Sequence, residues 1–305
     1  MAQQMLGKEV VAKMEAQLTP LTEDLRAKGI DPCLAIVRVG ERPDDLSYER
    51  GAMKRMANMN VSVKNVVMPE DVDQAELEKT FAAVNDDPAV HGILLFQPLP
   101  KHLDVEPLKA MINPLKDVDS MSPANAAKVF AGDKTGFAPC TPSAVMEILA
   151  QCGVELRGKR VTIVGRSMVV GKPLAMLMLG KNATPTICHT KTVDLPARCR
   201  EADVLVACAG KAKMITGDMV ADGQIVVDVG INMDENGKLC GDVDYDAAES
   251  HASMITPVPG GVGTVTTAIL GKHTIQAAYL LNGLEMPEQK YVLAISLLVR
   301  LRRKA

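Results

Sequence analysis

The chain has 305 residues, of which 47% are hydrophobic and 23% charged, and carries a net charge of -3. That length predicts two domains with a sizeable core, and the charge leaves no basic footprint for nucleic acid. Seven cysteines, at 33, 140, 152, 188, 199, 208 and 240, form no C-x-x-C pair. The odd count argues against zinc and a disulfide framework, and for reduced thiols in a cytoplasm. The first 17 residues lack an apolar signal core, and no apolar run approaches the ~20 residues of a membrane span.

Taken in order, residues 5–28 have apolar spacing at Val10, Val11, Met14 and Leu18, which predicts a helix interrupted near Pro20. Cys33–Val39 reads as a buried strand. After the turn 40–45, Asp44 or Asp45 caps a helix from Ser47 to about Ala57. Val61–Val67 and Val90–Phe96 read as strands, with helices at Asp73–Asn85 and Val105–Ile112. Pro139-Cys140-Thr141-Pro142 reads as an inter-domain hinge, with Thr141 capping a helix through Leu149. Further strands follow at Val161–Val164, Pro185–Cys188, Val204–Ala207 and Ile225–Val229. Strands alternating with helices imply parallel sheets covered on both faces, an α/β architecture. Tyr291–Val299 is apolar and precedes Arg300, Arg302, Arg303 and Lys304, which fits a terminal helix docked on the body or one lying on a membrane surface.

Within the second half, VTIVGRSMVVGKPLAML (161–177) passes from a β-branched run through Gly165 and Gly171 into an apolar helix-like segment. A strand, a glycine turn and a helix N-terminus together make an anion site, because unpaired N–H groups and the helix dipole favour phosphate. Five residues separate the glycines and Pro173 stands where a magnesium-binding hydroxyl would be, so this is no Walker loop. A nucleotide site and a plain strand-to-helix turn both satisfy the spacing. The next strand ends in His189-Thr190-Lys191-Thr192, with no carboxylate to bond an adenosine ribose. Hydroxyls and cations accept a 2′-phosphate that an acid would repel, and Arg166 adds a bidentate partner. The pattern favours NADP over NAD. The alternative for Arg166 and Lys191 is solvated surface charge.

GRSMVVGKP (165–173), CHTKT (188–192), GDVDY (241–245) and TPVPGGVGTVTTA (256–268), with KDVD (116–119) and PCTP (139–142), resemble the methylenetetrahydrofolate dehydrogenase/cyclohydrolase family across nearly the whole chain. The resemblance implies an N-terminal α/β folate domain, residues 1–140 plus 273–305, to which the C-terminal helix returns. A Rossmann-like NADP domain would occupy 141–272. It also implies a homodimer that oxidises a tetrahydrofolate one-carbon substrate. Histidines 91, 102, 189, 251 and 273 show no ligand spacing, so no metal is expected. Position by position, it implies Tyr48 as the aromatic beside the folate and Asp119 as the carboxylate that holds the pterin; these are the catalytic candidates. Pro259, Gly260 and Gly261 would join the substrate site. The implied cofactor set is Gly165, Arg166, Ser167, Gly171, Pro173, His189, Thr190, Thr192, Ile231 and Gly263.

Two departures bear on activity. The family pattern Tyr-x-x-x-Lys puts a lysine one turn beyond the tyrosine, where this chain has Ala52. Lys54 and Arg50 lie two residues away, about 200° round the helix. Phe96 stands where the family has glutamine, with Gln97 beside it on the opposite face of a strand. Hydride loss from the methylene carbon needs no protein proton shuttle, whereas hydrolysis of the methenyl product does. The expectation is therefore a dehydrogenase with weak or absent cyclohydrolase activity. Its alternatives are the bifunctional enzyme, with Lys54 or Gln97 recruited, and a silent folate- or nucleotide-binding paralogue.

Overall fold

The computed structural model describes residues 2–287, so the apolar segment 291–299 lies outside the described residues. β1 (Gln3–Gln4) leads into α1 (Gly7–Ala27), which runs straight through Pro20 where the sequence predicts a break. Pro20 removes one backbone donor, and both it and Ala16, whose carbonyl loses that partner, face solvent. The freed carbonyl is on the solvent side, while Val10, Met14, Leu18, Leu21 and Leu25 remain buried on one stripe through both halves.

The first sheet has order β3-β2-β4 and is parallel throughout, from β2 (Cys33–Val39), β3 (Ser62–Met68) and β4 (Gly92–Leu95). β2 lies between the other two and buries nearly every residue, as its continuous apolar run requires. Alternate residues of β2 and β4 feed two cores. Leu34, Ile36, Leu94 and Phe96 join Ala52 and Met56 on one face, while Ala35, Val37, Ile93 and Leu95 meet Leu77, Phe81 and Leu108 on the other. The helices on these faces are α2 (Pro43–Asn58), α3 (Gln74–Asp86) and α4 (Glu106–Met111). α2 starts earlier than predicted. Pro43 supplies the fixed φ of a first helical position, and Asp44 and Asp45 sit in the first turn against the positive dipole end instead of capping. Asp73 does cap α3, accepting from Glu76 N at 2.8 Å.

α5 (Pro123–Ala131), capped by Ser122, and α6 (Cys140–Gln151) carry the chain to the second domain. The expected hinge at 139–142 is the first turn of α6, so Thr141 is helical and caps nothing. Its sheet is six-stranded, in the order β1-β11-β8-β7-β5-β6, and parallel. The strands are β5 (Arg160–Val164), β6 (Thr184–Cys188), β7 (Val204–Ala207), β8 (Ile225–Asp228) and, after the hairpin β9 (Asn232–Met233) and β10 (Leu239–Cys240), β11 (Met254–Ile255). Helices α7 (Gly171–Leu179), α8 (Leu195–Arg200) and α9 (Tyr245–Glu249) complete this Rossmann-like half. α10 (Val262–Leu281) then packs on α1, α2 and α6, tying the second half of the chain back to the first. No described helix is long and apolar enough to cross a membrane. All seven cysteines are unpaired.

Pro20→Ala should raise the unfolding free energy by about 1–3 kcal/mol, since an exposed helix interior prefers alanine. Urea unfolding measures this; an unchanged or lower midpoint would show that α1 uses the proline.

Candidate active site

α2 presents two stripes. Glu49, Ala52 and Met56 are buried, whereas Ser47, Tyr48, Gly51, Lys54, Arg55 and Asn58 line a cleft of about 1200 Å³. The rotation that separates them is fixed by a buried ion pair: Arg38 on β2 donates from Nε to Glu49 Oε2 at 2.7 Å, and Asn65 Nδ2 donates to Glu49 Oε1 at 2.8 Å. Ala52 therefore sits fully in the core. Lys54, placed by helical spacing on the side away from Tyr48, lies on the cleft rim instead. The cleft spans more of the helix circumference than a single stripe, so a residue 240° from Tyr48 still reaches its edge.

Tyr48 exposes 37% of its surface, and the edge of one aromatic ring meets the other's face in its pairing with Phe96, centroids 5.7 Å apart. Burial of its hydroxyl and the nearby Asp119 push its pKa up. Phe96 is buried; Gln97 lies beyond the end of β4, is exposed, and is absent from the cleft lining.

The KDVD segment divides its labour. Lys116 is buried and donates to the carbonyls of Asn85 and Asp87, both at 2.7 Å. Asp117 accepts from Met121 N, Ser122 N and Asn125 Nδ2 at 2.8, 2.9 and 3.0 Å, fixing the start of α5. Val118 enters the core. Asp119 is left near Tyr48 and, like Gln97, outside the cleft lining, with one oxygen accepting from Cys140 N at 2.8 Å at the start of α6. Burial raises the Asp119 pKa against the lowering effect of that bond.

Across the cleft stand Ile231, 65% exposed, and the loop Pro257–Gly263, in which Pro259, Gly260, Gly261 and Gly263 all line the cavity. Gly260 has φ +106, a backbone that favours glycine. Its carbonyl accepts from Gly7 N at 2.8 Å, and a Cβ on Gly7 would lie 2.4 Å from Gly261 O, so the start of α1 clamps this loop. Gly7 carries no signal in a single sequence.

The remaining candidates gather at the C-terminal ends of the adjacent strands β5 and β6. Gly165 has φ +146, and a Cβ on Gly171 would lie 2.1 Å from Gly165 O, so the turn closes directly on the first residue of α7. Ser167 Oγ accepts from Val170 N at 3.0 Å, Pro173 is buried in the first turn of α7, and Val170 reaches the cleft. His189 N donates to Thr192 Oγ1 at 2.8 Å and Lys191 N to His189 Nδ1 at 3.1 Å, leaving Thr190 and Lys191 exposed as Arg166 is. Two cationic side chains and a free hydroxyl fit a phosphorylated ribose, the one acid of these loops, Asp194, being engaged in capping α8. Among the described residues no three His, Cys, Asp or Glu side chains group as metal ligands.

Two buried carboxylates missed by the sequence reading hold the cofactor-side loops. Asp228 accepts from Gly230 N, Asp242 N and Val243 N, each at 2.9 Å. Asp242 accepts from Ala209, Gly210 and Lys211 N and from Asn232 Nδ2. Asp242 lies in the GDVDY motif, but only the fold reveals what it joins. Burial pushes Asp228 up from 3.8 to about 6, with three backbone bonds opposing and Asp242 reinforcing the shift.

The native state thus binds a proton at Asp228 more tightly than the unfolded chain does, and the associated stability is full below pH 3.8 and lost as pH rises to about 6. Asp228→Asn should gain stability relative to the wild type as pH goes from 4 to 6.5, measured by urea unfolding; a pH-independent difference would contradict the assignment. Gly171→Ala should destabilise by about 1–3 kcal/mol, because backbone on both sides must shift; an unchanged melting curve would mean the turn is loose.

A family model described as the tetrahydrofolate dehydrogenase/cyclohydrolase catalytic domain matches residues 5–119, and its NAD(P)-binding domain matches 139–281. The "Bifunctional protein FolD" of Clostridioides difficile is 54% identical over 276 residues, 90% of this chain and 96% of that protein. The crystal structure of the bifunctional FolD methylenetetrahydrofolate dehydrogenase/cyclohydrolase from Campylobacter jejuni superposes with a TM-score of 0.89 at 38% identity, covering 91% of this chain and 99% of that one. The Trypanosoma brucei counterpart, complexed with NADP and an inhibitor, gives 0.85 at 35% identity, covering 91% and 97%.

Proposed function

The chain belongs to the tetrahydrofolate dehydrogenase/cyclohydrolase family, and from that premise we propose that it performs both reactions in the one cleft. As an NADP-dependent methylenetetrahydrofolate dehydrogenase it removes a hydride from the methylene bridge of 5,10-methylenetetrahydrofolate, leaving the methenyl cation. The observation that carries the substrate reading is the meeting of Tyr48, with Asp119 behind it, and the Pro259-Gly260-Gly261 loop across one cavity between the domains.

Tyr48 offers the flat apolar face of its ring to the pterin, and Asp119 accepts hydrogen bonds from the ring N–H and amino groups. The bare backbone of Gly260 and Gly261 lets the second domain approach the substrate closely. NADP, when bound, supplies the hydride acceptor. Gly165, Arg166, Ser167, Gly171 and Pro173 would hold it with His189, Thr190 and Thr192, while Ile231 and Gly263 line the cleft beside the reacting carbon. Holding the two partners in register is all that hydride transfer asks of the protein.

Hydrolysis of the methenyl product adds water to the bridging carbon, releases a proton, and protonates a ring nitrogen as its bond to that carbon breaks. Neither Ala52 nor Phe96 can move that proton. The Asp119 carboxyl, its pKa raised by burial, is the group beside Tyr48 that can take and return one. The expectation of hydride transfer alone weighs the loss of lysine and glutamine most heavily. Against it stands 54% identity, over nearly full length, to a relative named bifunctional. The buried, apolar Ala52 and Phe96 are what favour the dehydrogenase-only reading. We place the protein in the cytoplasm, as a homodimer, with residues 1–140 and 273–305 as the folate domain and 141–272 as the NADP domain, save that β1 (Gln3–Gln4) pairs with β11 in the sheet of the second. The open edge of β3, with Val67 49% exposed, supports pairing of two copies.

Purified protein given 5,10-methenyltetrahydrofolate should consume it faster than buffer does, and Asp119→Asn should slow that consumption about 100-fold. NADPH formation from the methylene compound without methenyl consumption would return the dehydrogenase-only reading. Arg166→Ser should lower kcat/KM for NADP about 10- to 100-fold relative to NAD, the loss of a charged hydrogen bond. An unchanged ratio would place the 2′-phosphate elsewhere.

A further inference from the structure

A second cavity, of about 680 Å³, shares no lining residue with the cleft. α6 stands between the two. Thr141 lines the cleft, whereas Ser143, Met146, Glu147 and Ala150, on roughly the opposite side of the helix, line the cavity. α10 supplies Ile269, Lys272, His273 and Gln276, spaced as one helical stripe, and α7 supplies Met176 and Leu177. A largely apolar hollow of this volume with a few polar groups in its wall has the build of a small-ligand site.

His273 is the buried polar group of that wall, 8% exposed. Its Nδ1 lies 2.8 Å from the carbonyl oxygen of Val118, which only accepts, so Nδ1 carries the proton. Burial holds the ring's pKa down from 6.5 to about 4 against that bond, so at neutral pH Nε2 bears a lone pair. No donor reaches Nε2 among the described residues. Phe137, whose ring centroid is 5.2 Å from that of the imidazole, packs against it and also lines the cavity. Other polar groups of the cavity are exposed and cationic. Lys134, Arg157 and Lys181 make no ion pair among the described residues. Of the acids, Glu147 is paired with Lys272 at 3.3 Å, and Asp133 accepts from Thr135 N at 2.8 Å, leaving Glu155. The exposed edge of the cavity is therefore net positive.

We propose that this cavity is a second ligand site, for a small aromatic anion whose ring carries an N–H donor. The N–H donates to His273 Nε2, and the ring lies among Phe137, Met146, Met176 and Ile269. The anionic group meets Arg157, which can take a carboxylate bidentately, with Lys134 and Lys181 beside it. Because α6 separates the cavity from the cleft, such a ligand binds together with substrate and cofactor and competes with neither. The ordinary alternative is a histidine that only ties α10 to Val118, with water at Nε2.

The test is equilibrium dialysis of indole-3-acetate, which combines a flat ring, an N–H and a carboxylate, against the full chain. One site per chain should fill, with the same affinity when NADP and 5-formyltetrahydrofolate are both saturating. 1-Methylindole-3-acetate, which lacks the N–H, should bind about tenfold more weakly, the loss of one hydrogen bond to a buried acceptor. Arg157→Glu combined with Lys181→Glu, both on the surface, should weaken indole-3-acetate about five- to tenfold with the melting curve unchanged. Absence of saturable binding would overturn the proposal, as would competition by NADP or the folate, which would put the probe in the cleft. Equal affinity for the methylated compound would overturn the role of His273, and unchanged affinity in the charge-reversed variant would overturn the placement of the anion.

Discussion

The composition of the site depends on the ion pair between Arg38 and Glu49. Both side chains are at most a tenth exposed, and a buried pair of this kind is favourable only when its remaining hydrogen-bonding groups are satisfied. Here they are: Asn65 takes the second carboxylate oxygen, and Arg38 also donates to the carbonyl of Gly40. The pair contributes specificity more than stability, because it sets which way α2 faces. One residue of rotation, about 100°, would bring buried positions to the cleft and bury Tyr48. The loss of lysine at position 52 is accommodated by the same phase: alanine fills a site inside the core, and Phe96 closes on Tyr48 from β4.

The second domain solves the matching problem with two carboxylates instead of an ion pair. Asp228 and Asp242 draw the ends of β7 and β8 and the foot of the β9–β10 hairpin into one hydrogen-bonded knot behind the cleft. A Cβ on Gly230 would lie 2.3 Å from Asp242, and one on Gly241 1.8 Å from Asp228, so the knot admits no side chain. α10 then connects this wall to the first domain by packing on α1, α2 and α6. The cleft is held from both sides by polar groups that never face it directly, apart from Asp228.

Much of this was legible in the residues. The largely apolar strands β2 and β7 fall where their runs predict, because a buried parallel strand has no other pattern to show. Two-residue strands such as β1 and β11 carry no period and were invisible. The break at Pro20 failed to appear because the proline sits on the solvent face, where the packed stripe outweighs one missing bond. Thr141 misled as a cap since Pro139 already turns the chain into α6. For the site, resemblance supplied Tyr48 and Asp119. Only the fold separates Asp119, beside the tyrosine, from Asp117, which builds the start of α5. Lys54 was misplaced because helical spacing gives angles about an axis and says nothing of how wide the facing cleft is.

A crystal structure of the protein with NADP and the unreactive 5-formyltetrahydrofolate would test the central claim most directly. The account predicts the pterin against Tyr48, within hydrogen-bond distance of Asp119, with the nicotinamide ring beside Ile231 and the Pro259–Gly261 loop. Folate bound elsewhere, such as the separate cavity lined by Gly40, Lys101 and His102, would contradict it.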